Sequence, residues 1–91
     1  MANRRKGPTA DEYKQQVLSW FRTAKRREST HMIIAFDIQK RKTFPVYVNE
    51  DTSVQQKIKS FNDNDFVRAV EVYNMKMDLE RQLGQARTWN V

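Results

Sequence analysis

Two hydrophobic periods divide the chain. Residues 31–49, HMIIAFDIQKRKTFPVYVN, step by two. Met32, Ile34, Phe36 and Ile38 fall on one side, with Asp37 and Gln39 on the other. Phe44, Val46 and Val48 share a side opposite Thr43, Pro45, Tyr47 and Asn49. Such alternation, rich in β-branched and aromatic residues, predicts two strands. Lys40-Arg41-Lys42 links them. A three-residue link pairs Gln39 with Thr43 and sets Ile38 opposite Phe44, Phe36 opposite Val46 and Ile34 opposite Val48. A two-residue link would slip the register and bring Ile38 to Pro45. The expectation is a hairpin with an odd-length loop, Phe36 and Val46 facing each other in the core. Ile33 and Tyr47 then lie outside it.

The flanking segments step by helical spacing. Thr9 and Glu12 have capping-box spacing, and Asp11 and Glu12 suit the first turn of a helix. Tyr13, Val17, Trp20, Phe21 and Ala24 form one stripe, with Lys14, Arg22, Lys25 and Arg26 on the neighbouring arc. Beyond the hairpin, Glu50-Asp51-Thr52-Ser53 predicts a helix start, followed by Val54, Ile58 and Phe61. Asn62-Asp63-Asn64-Asp65 interrupts it. As a calcium loop this run would need Gly and Glu where Arg68 and Asn74 stand, so it reads as a turn and N-cap. A last helix is expected over residues 65–83, stopped by Gly84. One stripe of it is Phe66, Ala69, Val70, Tyr73 and Met77. A second, Val72, Met75, Leu79, Leu83 and Ala86, packs on the first helix or meets a partner. Val72, Met75, Leu79 and Leu83 are its candidate partner-interface residues.

These elements give a single small α+β domain over residues 9–84, in the order helix, β-hairpin, helix, helix (αββαα). Residues 1–8 form a basic arm expected to be flexible until it meets a phosphate backbone. Residues 85–91 form a C-terminal tail with an unexplained Trp89. The two-stranded antiparallel sheet is expected to be covered by helices on one face. A lone hairpin is marginal in water, so a third strand or dimerisation through an edge is expected to extend it. Pro45 blunts the second strand, leaving the first as the freer edge. Residues 43–83, a strand and two helices, resemble ribbon-helix-helix repressors in outline. The strand face here is apolar and the cations lie elsewhere, so that function is not carried over.

Charge changes the picture most. Seventeen Lys and Arg against eleven Asp and Glu give +6 over 91 residues. Residues 1–42 hold eleven cations and four anions, and residues 43–91 six cations and seven anions. The excess is therefore +7 in the first part and −1 in the second. Most of it lies in three triplets: Arg4-Arg5-Lys6, Lys25-Arg26-Arg27 and Lys40-Arg41-Lys42. Clustered cations are the electrostatic footprint of a nucleic-acid binder, or of a protein that meets an acidic partner. A helix dipole would explain one cation near residue 26, not three.

Little else carries chemistry. The chain has no cysteine, which excludes disulfides and thiol catalysis and fits a reducing cytoplasm. Its one histidine, His31, has no neighbouring metal-binding side chain. Two glycines leave no phosphate loop. The serines lack triad context, and the paired acids sit where helix starts want them. No apolar run approaches the ~18 residues of a membrane span, so no membrane partner is expected.

The expectation is a non-catalytic nucleic-acid-binding protein without cofactors or metals. It would grip phosphates through Arg4, Arg5, Lys6, Lys14, Arg22, Lys25, Arg26, Arg27, Lys40, Arg41 and Lys42, with little sequence specificity. RNA or single strands are favoured over DNA duplex, because Tyr47 and His31 could stack bases. The alternative is a small stoichiometric inhibitor, antitoxin-like or viral, that binds an acidic or nucleic-acid-processing protein. The site of action would be the cytoplasm, of a host if the chain is viral, and a homodimer is possible.

Overall fold

A computed structural model of the chain describes residues 10–49 and 54–91. The described part is a small α+β fold with three helices and a three-stranded antiparallel sheet. Its elements run α1 (Ala10–Arg26), β1 (His31–Asp37), β2 (Lys42–Val48), α2 (Val54–Asn62), β3 (Val67–Asn74) and α3 (Leu79–Leu83). The strand order is β2-β1-β3.

Helix α1 forms where its one-sided stripe predicted it. Asp11 and Glu12 lie in the first turn and Lys25 and Arg26 in the last, both favourable to the dipole. Val17, Phe21 and Ala24 are buried. The helix closes with the Glu28 N–H on the Lys25 carbonyl and the Ser29 N–H on the Ala24 carbonyl, each at 3.0 Å. Glu28 takes the left-handed φ of 57° that this C-terminal motif requires. Thr9, the expected cap of α1, and residues 50–53, the expected start of α2, lie outside the described residues.

The sheet is sandwiched, not covered on one face. Met32, Ile34 and Tyr73 pack with Val17, Phe21 and Ala24 of α1. Ile33, Val48 and Val72 pack with Ile58 of α2, joined by Val46, Val54, Phe61 and Trp89. Strand β1 is therefore the centre of the sheet and not its freer edge, and residues 32–35 are all buried. A strand buried on both faces reads as a near-continuous apolar run, here Met-Ile-Ile-Ala.

That burial overturns the expected register. His31 pairs with Val48, Ile33 with Val46, Ile34 with Pro45 and Phe36 with Thr43. The loop is residues 38–41, four residues long. Asp37 sets it: its Oδ1 accepts the Lys40 N–H at 3.0 Å, and Arg41 takes a φ of 55°. This closure of the turn by the Asp37 side chain was the missed signal. Phe36 and Val46 point to opposite faces, Ile33 is fully buried, and Phe36 is only half-buried. The preference for Phe36 over Ile33 as the core anchor is reversed.

The helix expected over residues 65–83 is instead β3, a turn and the short α3. The sheet therefore has three strands, and the αββαα order becomes αββαβα. The run is rich in valine, which favours a strand, and its helical spacing is coincidental, because Ala69 packs on the α2 side of the sheet and Tyr73 on the α1 side. A β-bulge between the pairs Ile34–Glu71 and Ala35–Ala69 leaves Val70 as the extra residue and breaks the two-residue alternation that would have marked the strand. The resemblance of residues 43–83 to a strand followed by two helices falls with it. Asp78 caps α3 through its side chain on the Arg81 N–H. Gly84 closes it, its N–H on the Glu80 carbonyl at 3.1 Å.

The tail returns to the sheet. Val72 N–H donates to the Thr88 carbonyl and Asn90 N–H to the Val72 carbonyl, each at 3.0 Å. Buried Gln82 ties this end together. Its amide donates to the Asn74 carbonyl at 3.0 Å, and its Oε1 accepts the Asn74 N–H at 2.7 Å and the Asn90 amide at 2.9 Å. The tail and the bulge blunt the β3 edge, and Pro45 interrupts β2.

Candidate nucleic-acid interface

The candidate cations divide between the two ends of the β1–β2 hairpin. Lys25, Arg26 and Arg27 end α1 beside the start of β1. Lys40, Arg41 and Lys42 occupy the far turn. Strand β1 separates the groups by six residue steps, or ~20 Å at ~3.3 Å each. All six are exposed, as are Lys14 and Arg22 on α1. Arg4, Arg5 and Lys6 lie outside the described residues. Among the described residues one ion pair forms, Lys59 with Asp63 at 3.1 Å on α2.

The near end is built around Tyr47. Tyr47 pairs with Met32, packs against the α1 core and carries the Arg27 guanidinium 4.7 Å from its ring centre. It is on the α1 face, where the observed register turns it, and not on an open outer face. Its ring is thus already covered on one side. His31 pairs with Val48 at the same end but on the other face of the sheet, with its ring nitrogen Nδ1 3.0 Å from the Thr30 hydroxyl. Burial, and then the Lys76 charge, hold the His31 pKa below its ordinary 6.5. Lys76 reaches this end because Met75 N–H donates to the Thr30 carbonyl at 2.9 Å.

The far end is open. Phe66 is 49% exposed and Ile38 43% exposed. They are joined by the Ile38 N–H on the Phe66 carbonyl at 2.8 Å. Asn64 Oδ1 accepts the Phe66 N–H at 2.7 Å, and Asn62 Oδ1 accepts the Ala69 N–H at 3.3 Å. Arg68, cross-strand partner of Phe36, donates to the carbonyls of Asn64 and Val67. Sequence reasoning missed Phe66 and Arg68 by placing both on a helix. The Asx residues at 62 and 64, ahead of a valine-rich run, were the available signal.

The residues expected at a partner interface do not form one free stripe. Val72 is fully buried against the α2 side of the sheet. Met75, Leu79 and Leu83 pack against the α1 core instead. Near them, Glu71 accepts hydroxyl hydrogen bonds from Tyr13 and, at 3.2 Å, from Tyr73. Burial and this carboxylate push both phenols well above their ordinary pKa of 10.0. A cleft of about 380 Å³ lies over the trio, also lined by Asp11 and Glu80. Both hydroxyls are committed to Glu71, which fastens the start of α1 to β3. Among the described residues no group of three His, Asp or Glu side chains is arranged to hold a metal. No helix there is long and apolar enough to cross a membrane. Comparison with known families, curated proteins and solved structures gives no match.

Proposed function

We propose that the protein is a non-catalytic, phosphate-gripping nucleic-acid binder that takes RNA or single strands in preference to duplex DNA. The observation that carries the reading is the exposure of eight cations, Lys14 and Arg22 on α1 and the two triplets Lys25, Arg26, Arg27 and Lys40, Arg41, Lys42. Basic groups at both ends of one hairpin suit a ligand with charge repeated along its length. Arg41 adds weight. It holds a left-handed φ of 55°, where glycine meets no steric penalty, so the charge is kept at a conformational cost. The rival, an inhibitor that binds a protein, is less favoured, because Val72 is buried and Met75, Leu79 and Leu83, partly buried, pack against the α1 core and do not form one free stripe. A cytoplasmic site of action accords with a chain free of cysteine.

The test is a salt titration of binding to a single-stranded oligonucleotide. Seven or so phosphate contacts predict a log–log slope of about −5, at ~0.7 per contact. Replacing Lys40, Arg41 and Lys42 by Gln removes about 2 from that slope and weakens binding to unrelated sequences equally. A slope near zero, or no binding at low salt, refutes the reading.

A further inference from the structure

The open far end of the sheet lacks an assigned role. Phe66 is half-exposed, yet its backbone is fixed on both sides. Its N–H is held by Asn64 Oδ1 at 2.7 Å, and its carbonyl by the Ile38 N–H at 2.8 Å. An aromatic ring on a pinned turn is a rigid surface feature, not a frayed one. Ile38 lies directly across that bond, with an exposed side chain. Lys40 and Arg41 follow Ile38 in the same turn, and Lys42 opens β2. Arg68, two residues past Phe66, is itself tethered to the Asn64 and Val67 carbonyls.

We propose that Phe66, with Ile38 beside it, is a stacking platform for an unpaired base of a single-stranded nucleic acid, whose phosphates the Lys40–Lys42 turn and Arg68 hold. This rests on the nucleic-acid reading above and assigns the base contact within it. Two arguments choose the occupant. The first is charge: the turn after Ile38 leads through Lys40, Arg41 and Lys42, and β3 carries Arg68, four cations against Asp37, which accepts the Lys40 N–H, and the exposed Asp65 beside the ring, while Asp63 is paired with Lys59. The second is chemistry: a lone exposed ring between cations suits a flat π-face linked to a phosphate, and any base supplies one. Paired bases in a duplex keep their faces stacked on each other and cannot use the platform. Tyr47, the ring that the sequence favours for stacking, already carries Arg27.

The experiment compares the full chain with Phe66→Ala and Phe66→Trp. Each is titrated by fluorescence anisotropy into a labelled uridine 20-mer and into a blunt RNA duplex of equal length. Circular dichroism confirms the fold of each variant. Phe66→Ala is expected to weaken single-strand binding roughly five- to hundred-fold, the worth of one base–aromatic stack. Its salt slope should be unchanged, because no phosphate contact is lost, and its duplex binding should be unaltered. Phe66→Trp should restore or exceed wild-type affinity. Wild-type binding with a steep salt slope but no loss in Phe66→Ala overturns the platform and leaves the phosphate-binding reading standing. Equal losses on single strand and duplex also overturn it. No binding by the wild type overturns both and leaves the ring as a protein contact.

Discussion

The two ends of the sheet carry the same kinds of residue and use them differently. At the near end an aromatic ring, Tyr47, lies under Arg27 and against the α1 core. At the far end another ring, Phe66, stands half-exposed on a pinned turn among unburied cations. Helix α1 makes the difference. Its stripe reaches from Ala24, beside the start of β1, to Tyr13, bonded to Glu71 in the middle of β3. It covers Met32 and Ile34, and Phe36, the next residue on that face, is only half-buried. A basic-aromatic pair is thus a packing device where a helix covers it, and the uncovered pair is the one proposed for recognition.

The comparison is broken most forcefully through the core. Ile33, fully buried in the central strand, contributes far more than Phe36 at the open end. Ile33→Ala should cost ~2–5 kcal/mol, a large part of what a domain this small possesses. Phe36→Ala should cost distinctly less, because its ring is already partly in water. Urea midpoints followed by circular dichroism decide it. A larger loss in Phe36→Ala would mean that the far end is packed and the ends are alike.

A smaller effect separates charge from geometry at the far turn. Arg41→Gly relieves a left-handed conformation and should raise stability by up to ~1 kcal/mol, while weakening binding to single strands. A variant that is both more stable and fully competent to bind would show that the cation has no part in recognition.

The smallest effect belongs to the near end. The His31 pKa is lowered on folding by burial and by Lys76, so the unfolded chain takes up the proton first. Stability contributed by neutral His31 is complete above the ordinary pKa of 6.5 and declines as pH falls from there to the lower folded value. Unfolding midpoints at pH 7.5 and pH 5.5 should therefore differ more for the wild type than for His31→Gln. Identical differences would mean that burial and Lys76 do not hold the His31 pKa down.

Legibility in the sequence followed the number of faces that each element buries. Helices α1 and α2 each bury one face, so their stripes, Val17 to Ala24 and Val54 to Phe61, read directly. The strands β1 and β2 were legible in extent but not in register. Residues 32–35 bury both faces, and alternation then no longer says which residue looks where. Strand β3 was lost because the bulge at Val70 breaks its two-residue alternation, leaving a coincidental helical spacing between residues that face opposite sides of the sheet. The cation clusters were legible because charge needs no fold to be counted. Phe66 was not, because a residue placed in a helix stripe is assumed to be core. Tyr47 was misplaced by the same register error that exchanged Phe36 and Ile33.

Mapping the contact residue by residue tests the account most directly. Amide chemical shifts would be followed as a uridine oligonucleotide is added to the isotope-labelled chain. The largest changes are expected at Ile38, Lys40, Arg41, Lys42, Phe66 and Arg68, with lesser ones at Lys25, Arg26 and Arg27. The buried amides of Ile33 and Val72 should stay still. Changes centred instead on α2 and Trp89, with the hairpin turn silent, would contradict the account.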